Sequence, residues 1–267
     1  MSGPSERTTW TAVVLAAGRG KDDPLAAHFG VSHKCLLPVG GRPMLQRVVA
    51  TLAGHPSIGD IIVSIEDQAL LPQALGKLAG RVAFAASRSS AARSAAAAVQ
   101  QSANAFPILL TTADHALLDQ DMLSHFLEHS TALGCDLTVG VASAETILAA
   151  YPDAKRTFLT FGPDRVSGCN LYGLRTASAE RVLELWQSVE ENRKNPLAIV
   201  RAFGLYALLR YVTKTITLES AFAIASRRLR LTAKPVVMPF ANAAVDVDKP
   251  ADKELVENIL RQPGEKA

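Results

Sequence analysis

The stretch VVLAAGRGKDDPLAAHFGVSHKCLLPVGGRPML, residues 13–45, decides how the chain folds. An apolar run over residues 12–17 predicts a buried strand. Gly18 and Gly20 follow it, and a backbone without side chains can approach a ligand closely. Positive side chains collect in the same stretch: Arg19, Lys21, His33 and Lys34. A glycine-rich loop with cations after a first strand is typical of a polyphosphate site, because N–H groups and cationic side chains share the phosphate charge.

Two other phosphate motifs are excluded by the residues that follow Gly20. The dinucleotide fingerprint G-x-G-x-x-G would need a third glycine at position 23, where Asp23 stands. A P-loop would need Ser or Thr after Gly20-Lys21, where Asp22 stands. The loop is therefore neither a dinucleotide fingerprint nor a Walker loop.

Size and composition indicate a globular protein that acts on small molecules. With 267 residues, 48% of them hydrophobic, the chain can bury a full core. The net charge of +3 is spread along the chain and aromatic residues make up 6%, which argues against a nucleic-acid partner. Three cysteines without a C-x-x-C pair indicate reduced thiols: Cys35, Cys135 and Cys169. Since no signal peptide and no transmembrane segment is visible, we expect a cytoplasmic protein.

Strands and helices alternate through the first half of the chain. The predicted strands cover residues 12–17, 61–65, 82–85, 106–110 and 136–141, and the helices 44–52, 68–78, 90–102 and 122–133. This alternation predicts an α/β protein with a doubly wound, mostly parallel sheet, whose ligands lie at the carboxyl ends of the strands. The second half predicts strands at 157–161, 166–174 and 236–238, and helices at 178–191, 196–230 and 251–260.

Acidic side chains at two distant positions are suited to a metal ion. Asp114 follows a buried strand, and Asp246 and Asp248 precede the last helix. Magnesium prefers a few carboxylates, with waters and phosphate oxygens as its other ligands. Asp114 with one of the other two would therefore suit a metal–nucleotide complex. The alternatives are a turn or helix-capping aspartate, and Asp248 is the better candidate for a cap.

Two separated motifs carry a family resemblance. LAAGRG at residues 15–20 and KCLLPVGGRPM at residues 34–44 match L-A-A-G-x-G and K-x-L-x-P-V-x-G-[KR]-P-[ML]. The chain thus resembles nucleotidyltransferases of the molybdenum-cofactor guanylyltransferase and sugar-phosphate nucleotidyltransferase kind. The resemblance implies the Rossmann-like nucleotide-diphospho-sugar transferase fold, as one domain over residues 1–267 with a helical insertion at about 196–230.

The activity that the resemblance implies is metal-dependent transfer of an NMP from an NTP to a phosphorylated acceptor, with release of pyrophosphate. The acceptor would be a sugar, polyol or alcohol phosphate, and the cofactor Mg²⁺ or Mn²⁺. For the 196–230 region three interpretations stay open: a cap over the acceptor site, the face of a homodimer, or a packed helical appendage, which is favoured. Molybdenum-cofactor guanylyl or cytidylyl transfer, a glycosyltransferase, and nucleotide binding without turnover stay open as alternatives.

The resemblance also implies residue roles. Lys34 and Arg19 would be catalytic. The nucleotide-binding set is Leu15, Ala16, Ala17, Gly18, Arg19, Gly20, Lys21, Lys34, Ser87, Ser90, Ser94 and Asp114. Gly168 and Asn170 would bind the acceptor, and Asp114, Asp246 and Asp248 the metal. For residues 87–94, an alanine-rich packing helix with a polar start is an equal alternative. The sequence departs from the family pattern at Asp22-Asp23 and at Ala113-Asp114-His115, where G-D-x-P is common.

Overall fold

The computed structural model of the protein describes residues 8–18, 22–102, 106–153, 156–191 and 204–261. Its strands are β1 (Trp10–Leu15), β2 (Pro38–Val39), β3 (Arg42–Pro43), β4 (Ile58–Ile65), β5 (Ala83–Ala86), β6 (Ile108–Thr112), β7 (Leu137–Ser143), β8 (Leu159–Phe161), β9 (Asp164–Leu174) and β10 (Ala233–Val237). Its α-helices are α1 (Pro24–His28), α2 (Met44–Ala53), α3 (Leu70–Leu75), α4 (Ala91–Gln101), α5 (Gln120–Leu133), α6 (Ala144–Ala150), α7 (Glu180–Glu191), α8 (Leu205–Val212), α9 (Leu218–Leu229) and α10 (Pro250–Arg261). None of the described helices is both long and apolar enough to cross a bilayer.

Within the described ranges, one sheet has the spatial order β10-β7-β9-β6-β1-β4-β5, and β8 pairs with β9 beside that path. The pairs of β1 with β4 and β6, of β4 with β5, and of β7 with β10 are parallel. Only β8 and β9 introduce antiparallel pairing among these strands. The sheet is therefore the predicted doubly wound, mostly parallel α/β sheet.

Helices cover both faces of this sheet. Along β1, Ala12 and Val14 belong to the core beneath α2, α3 and α5, whereas Val13 belongs to the core beneath α4 and α7. Successive side chains of a strand point to opposite faces, so a continuous apolar strand is buried on both sides. Parallel strands that are covered on both faces leave only their ends for a ligand.

The structure differs from the sequence-based elements in several short segments. Residues 68–78 do not form one helix, because Gly76 takes a positive φ of 56° and the chain continues as a 3₁₀ segment, Gly76–Arg81. Several short elements were not predicted, since they span too few residues for a periodic pattern: α1, α6, the hairpin β2–β3, and the 3₁₀ turns Lys34–Leu36 and Ala241–Ala244. The first part of the predicted helical region 196–230 lies outside the described residues, and the rest forms α8 and α9.

Candidate functional site

Lys34, Asp114 and Asp248 meet at the carboxyl ends of the central strands. The ammonium Nζ of Lys34 donates to Asp114 Oδ2 at 2.7 Å and to Asp248 Oδ1 at 2.6 Å. Asp114 follows β6, and Asp248 precedes α10. The fold therefore joins side chains that lie 80 and 214 positions from Lys34 in the sequence.

A small hydrophobic cluster fixes the three segments that carry these side chains. Its buried members are Leu25, Leu37, Val39, Met44, Ala116, Leu117, Val245, Val247 and Val256. In the sequence Val245-Asp246-Val247-Asp248 the two valines are 1% and 0% exposed. Alternation along an extended segment places the aspartates on the opposite side from the valines. The apolar cluster thus anchors the segment from which Asp246 reaches Arg156 and Asp248 reaches Lys34.

Backbone hydrogen bonds tie the same segments together. The N–H of Val247 donates to the carbonyl of Asp114 at 3.2 Å. The carboxylate of Asp252, which is 6% exposed, accepts from the N–H groups of Asp248 and Lys249 at 3.1 and 3.0 Å. Asp252 therefore supplies the side-chain hydrogen bonds to this segment before α10, while the carboxylate of Asp248 accepts from Lys34.

Lys34 neutralises part of the negative charge of Asp114 and Asp248. Burial lowers the pKa of Lys34, but Asp114 and Asp248 outweigh that effect and raise it above its usual range. Burial also acts to raise the pKa of Asp248, and the hydrogen bond and charge of Lys34 reverse this, so that its pKa is lowered. The hydroxyl of Thr112 donates to Asp114 Oδ1 at 2.6 Å and orients this carboxylate.

Asp246 has a different partner, Arg156. The guanidinium donates to the Asp246 carboxylate and, at 3.2 Å, to the Asp246 carbonyl. The Arg156 side chain is only 10% exposed, and its second neighbour is Asp252 at 3.9 Å. Burial raises the pKa of Asp246, and Asp248 and Asp114 add to the rise while Arg156 opposes it. Sequence reasoning did not identify Arg156, because nothing around it forms a motif.

The three aspartates offer hard oxygen donors of the kind that magnesium prefers. Their mutual repulsion, which contributes to the raised pKa of Asp246, is of the kind that a divalent cation relieves. In the described part of the chain, however, no three acidic, histidine or cysteine side chains stand in a ready-made ligand arrangement. Lys34 and Arg156 instead serve as the counter-ions.

The loop that follows β1, the first loop, lies beside the group formed by Asp114, Asp246 and Asp248. Leu15 and Ala16 use their backbone groups within the sheet, since Leu15 O accepts from Ala113 at 2.9 Å and Ala16 N–H donates to Ser64 at 2.8 Å. Ala17 and Gly18 are exposed, and Gly18 N–H donates to the Glu66 carboxylate at 2.5 Å. The other loop residues predicted to contact phosphate, Arg19, Gly20 and Lys21, lie outside the described residues.

The predicted nucleotide-binding serines lie at the carboxyl end of β5. Ser87 N–H donates to the carbonyl of Ile65 at 3.0 Å. Ser90 caps α4 by accepting from Arg93 N–H. Ser94 is 2% exposed, and its hydroxyl accepts from Arg88 N–H and donates to the Ser90 carbonyl, both at 2.8 Å. In this structure Ser90 and Ser94 therefore shape the loop, and direct contact with a nucleotide stays a prediction for them.

Gly168 and Asn170, the predicted acceptor residues, lie on an irregular part of β9. The pairing with β7 shifts between Val139–Tyr172 and Val141–Gly168, so extra residues of β9 face one residue of β7. Asn170 has a φ of 50°, a conformation that asparagine tolerates better than most residues. Asp246 lies close enough to add to the raised pKa values of Cys169 and Tyr172, for which burial is the first cause. The bulge thus borders the group formed by Asp114, Asp246 and Asp248.

Two further side chains near the site are unsuited to the roles that they could have had there: Cys169 as a nucleophile and His115 as a positive charge for a phosphate. Cys169 is 1% exposed, and burial raises the pKa of its thiol, which disfavours the nucleophilic thiolate. His115 is also 1% exposed, and burial lowers the pKa of its imidazole to about 4. At neutral pH this ring is uncharged and adds no positive charge for a phosphate.

A sequence model of the MobA-like NTP transferase domain matches residues 12–223. The chain belongs to this family. It is therefore a nucleotidyltransferase, and the resemblance carried by LAAGRG and KCLLPVGGRPM is confirmed. Comparison with curated protein sequences gave no significant match.

Solved structures share the fold of this MobA-like protein. A hypothetical transferase from Thermus thermophilus is 25% identical, with a TM-score of 0.75 over 92% of this chain and 100% of its own. The 4-diphosphocytidyl-2C-methyl-D-erythritol synthase of Anaerococcus prevotii is 13% identical, with a TM-score of 0.59 over 96% of this chain and 97% of its own. A CMP:2-keto-3-deoxy-manno-octonic acid synthetase in complex with CTP is 13% identical, with a TM-score of 0.57 over 95% of this chain and 98% of its own.

Proposed function

We propose that the protein transfers an NMP from an NTP to a phosphorylated small-molecule acceptor and releases pyrophosphate, in a reaction that depends on Mg²⁺ or Mn²⁺. The observation that carries the proposal is the meeting of Lys34 with Asp114 and Asp248 at the carboxyl ends of β6 and its neighbours. The proposal takes residues 1–267 as one nucleotidyltransferase domain, with the region 196–230 as a helical insertion.

In this reaction an oxygen of the acceptor phosphate attacks the α-phosphorus, and the bond from that phosphorus to the pyrophosphate oxygen breaks. The reaction needs positioning and charge stabilisation more than proton transfer. Lys34 would turn from the aspartates to the phosphates and stabilise charge that develops there. The exposed Ala17-Gly18 segment would bring backbone N–H groups to the same phosphates. Arg19 and Lys21 would add charge from the same loop.

Asp114, Asp246 and Asp248 would hold the divalent cation, together with phosphate oxygens and water. When bound, such an ion acts as a Lewis acid that stabilises the phosphate charge. The hydrophobic cluster that contains Val245, Val247 and Ala116 supports this proposal, because its residues alternate with or lie close in sequence to the three aspartates. Gly168 and Asn170, on the bulge of β9, would bind the acceptor.

Binding and turnover measured together test this function. ATP, CTP, GTP and UTP would be titrated with and without Mg²⁺, and pyrophosphate release measured with sugar, polyol and alcohol phosphates. We expect one NTP to be preferred and its binding to tighten with Mg²⁺. Asp114→Ala should lower pyrophosphate release at least about 100-fold. Asp121→Ala, which removes an exposed carboxylate in the first turn of α5, is the matched control.

Three results would overturn the proposal. The first is full activity of Asp114→Ala, which would overturn the metal-binding role proposed for this carboxylate. The second is tight NTP binding without pyrophosphate release for any acceptor class, which would support a binding protein without turnover. The third is binding of nucleotide-sugars in preference to NTPs, which would support a glycosyltransferase.

A further inference from the structure

We infer that Glu66 binds the ribose of the donor nucleotide, with its carboxylate accepting hydrogen bonds from the sugar hydroxyls. The inference rests on the proposed function, since it assigns a residue to the NTP of that reaction. Glu66 stands immediately after β4, and neither its sequence context nor any motif assigns it a role.

The strand order places Glu66 between the two loops that would bind the ends of the nucleotide. In the sheet, β4 lies between β1 and β5 and is parallel to both. The loop after β1 would bind the phosphates. The loop after β5 contains Ser87, a predicted nucleotide-binding residue, and we assign the base to this loop. Parallel strands end at the same edge, so the residue after β4 lies between these two loops. A nucleotide that spans them brings its ribose, the part between base and phosphates, over Glu66.

The orientation of the side chain agrees with this position. The Oε1 atom of Glu66 accepts a hydrogen bond from Gly18 N–H at 2.5 Å, so the carboxylate lies against the loop after β1. Two causes raise the pKa of the Cys35 thiol to about 12: burial is the larger, and the negative charge of Glu66 is the second. Glu66 thus lies near the 3₁₀ turn that carries Lys34 as well as near Gly18.

The chemistry of a carboxylate selects the sugar over the phosphates. An ionised carboxylate only accepts hydrogen bonds, and it repels a polyphosphate. A ribose offers two neighbouring hydroxyl donors, and hydrogen bonds to a charged acceptor are the stronger kind. An acidic residue binds the ribose hydroxyl of dinucleotides in other doubly wound sheets. When Glu66 turns to the ribose, Gly18 N–H becomes free to donate to a phosphate.

The discriminating experiment compares ribose with deoxyribose. Affinities of the preferred NTP and of its 2′-deoxy and 3′-deoxy analogues would be measured by calorimetry for wild type, Glu66→Gln and Glu66→Ala. We expect wild type to bind the NTP about tenfold more tightly than a deoxy analogue. That ratio should fall close to one in Glu66→Ala and to an intermediate value in Glu66→Gln. Asp60→Asn removes an exposed carboxylate near the other end of β4 and should leave the ratio unchanged.

A purely structural role of Glu66 makes a different prediction. If its only role were to hold Gly18, Glu66→Ala would weaken the NTP and its deoxy analogues equally, and the unchanged ratio would overturn the inference. A shift in base preference with an unchanged ratio would overturn it too, because the contact would then be to the base. Failure of wild type to bind any NTP overturns the proposed function and this inference together. Normal binding by wild type with an unchanged ratio in the variants overturns the inference alone.

Discussion

Lys34 and Asp114 lie 80 positions apart in the sequence, yet the ammonium of one is 2.7 Å from the carboxylate of the other. Both side chains are largely buried, with 18% and 21% of each exposed. The same ammonium also bonds to Asp248, so it occupies the space between two carboxylates. Lys34 therefore neutralises part of the negative charge of Asp114 and Asp248, and any other cation must compete with it for these carboxylates.

This competition predicts opposite effects of Lys34→Met on metal binding and on catalysis. Without nucleotide, Mn²⁺ affinity should rise by about tenfold, because a hydrogen-bonded charge no longer occupies Asp114 and Asp248. Pyrophosphate release should fall about 100-fold, because charge at the phosphates loses a stabilising group. Electron paramagnetic resonance of free Mn²⁺ measures the first effect. Lys234→Met, at an exposed position of β10, is the control, and weaker Mn²⁺ binding by Lys34→Met would contradict the competition.

The ion pair of Arg156 with Asp246 should be strongly coupled in stability. Arg156→Met should lower the free energy of unfolding by about 3 kcal/mol, because Asp246 is left half-buried beside Asp114 and Asp248 without its partner. Adding Asp246→Asn should restore part of that loss, since the repelling charge is then removed. Urea unfolding of the two single variants and the double variant gives the coupling.

Arg165→Met is a suitable control for the Arg156 variants. Its exposed guanidinium lies 5.0 Å from the centre of the Phe158 ring, and its removal should cost at most about 1 kcal/mol. Additive losses for Arg156→Met and Asp246→Asn would show that the two side chains do not stabilise each other.

The hydroxyl of Ser94 should stabilise the conformation of the loop after β5. Ser94→Ala removes the acceptor of the Arg88 N–H in a part-buried hydrogen bond, which should cost about 1 kcal/mol. NTP affinity should fall several-fold as the loop loses its shape. Thermal unfolding and calorimetry measure the two effects. Ser89→Ala, at an exposed position of the same loop, should change neither by much, and equal behaviour of the two variants would refute the role of Ser94.

Much of the fold and part of the site could be predicted because the relevant signals are local. Apolar runs bounded by glycine and proline define β1, β4 and β6, and the carboxyl-end rule then brings Gly18, Ser87 and Asp114 to one edge. The alternation of valine and aspartate at residues 245–248 places Asp246 and Asp248 on the side opposite the buried valines. These patterns need only a few neighbouring residues to be recognised.

The rest depends on contacts that no local pattern encodes. Arg156 contacts Asp246 across 90 positions, and Glu66 contacts Gly18 across 48. Each is a single charged residue whose sequence neighbours do not distinguish it from a solvated one. The short elements α1 and β2–β3 were missed for a related reason, since they are held by the cluster around Leu37 and Val245 and not by their own periodicity. Tertiary packing decides such features.

Asp136 joins three strands at the end of the sheet opposite the site, and its charge should make stability depend on pH. It accepts from the Thr176 hydroxyl at 2.6 Å and from Thr232 N–H at 2.7 Å, and these bonds lower the pKa of its carboxyl. A carboxyl group whose pKa is lowered by folding stabilises the fold at pH values above its unfolded-state pKa of about 4. This stabilisation is lost as the pH falls through the pKa of the folded state. Asp136→Asn should therefore cost on the order of 1 kcal/mol at pH 7, after allowance for solvent screening, and less near pH 3. Urea unfolding at both pH values tests this, with Glu254→Gln on the exposed side of α10 as the control for loss of a charge. A cost that is equal at the two pH values would show that the hydrogen bonds to Asp136 do not depend on its charge.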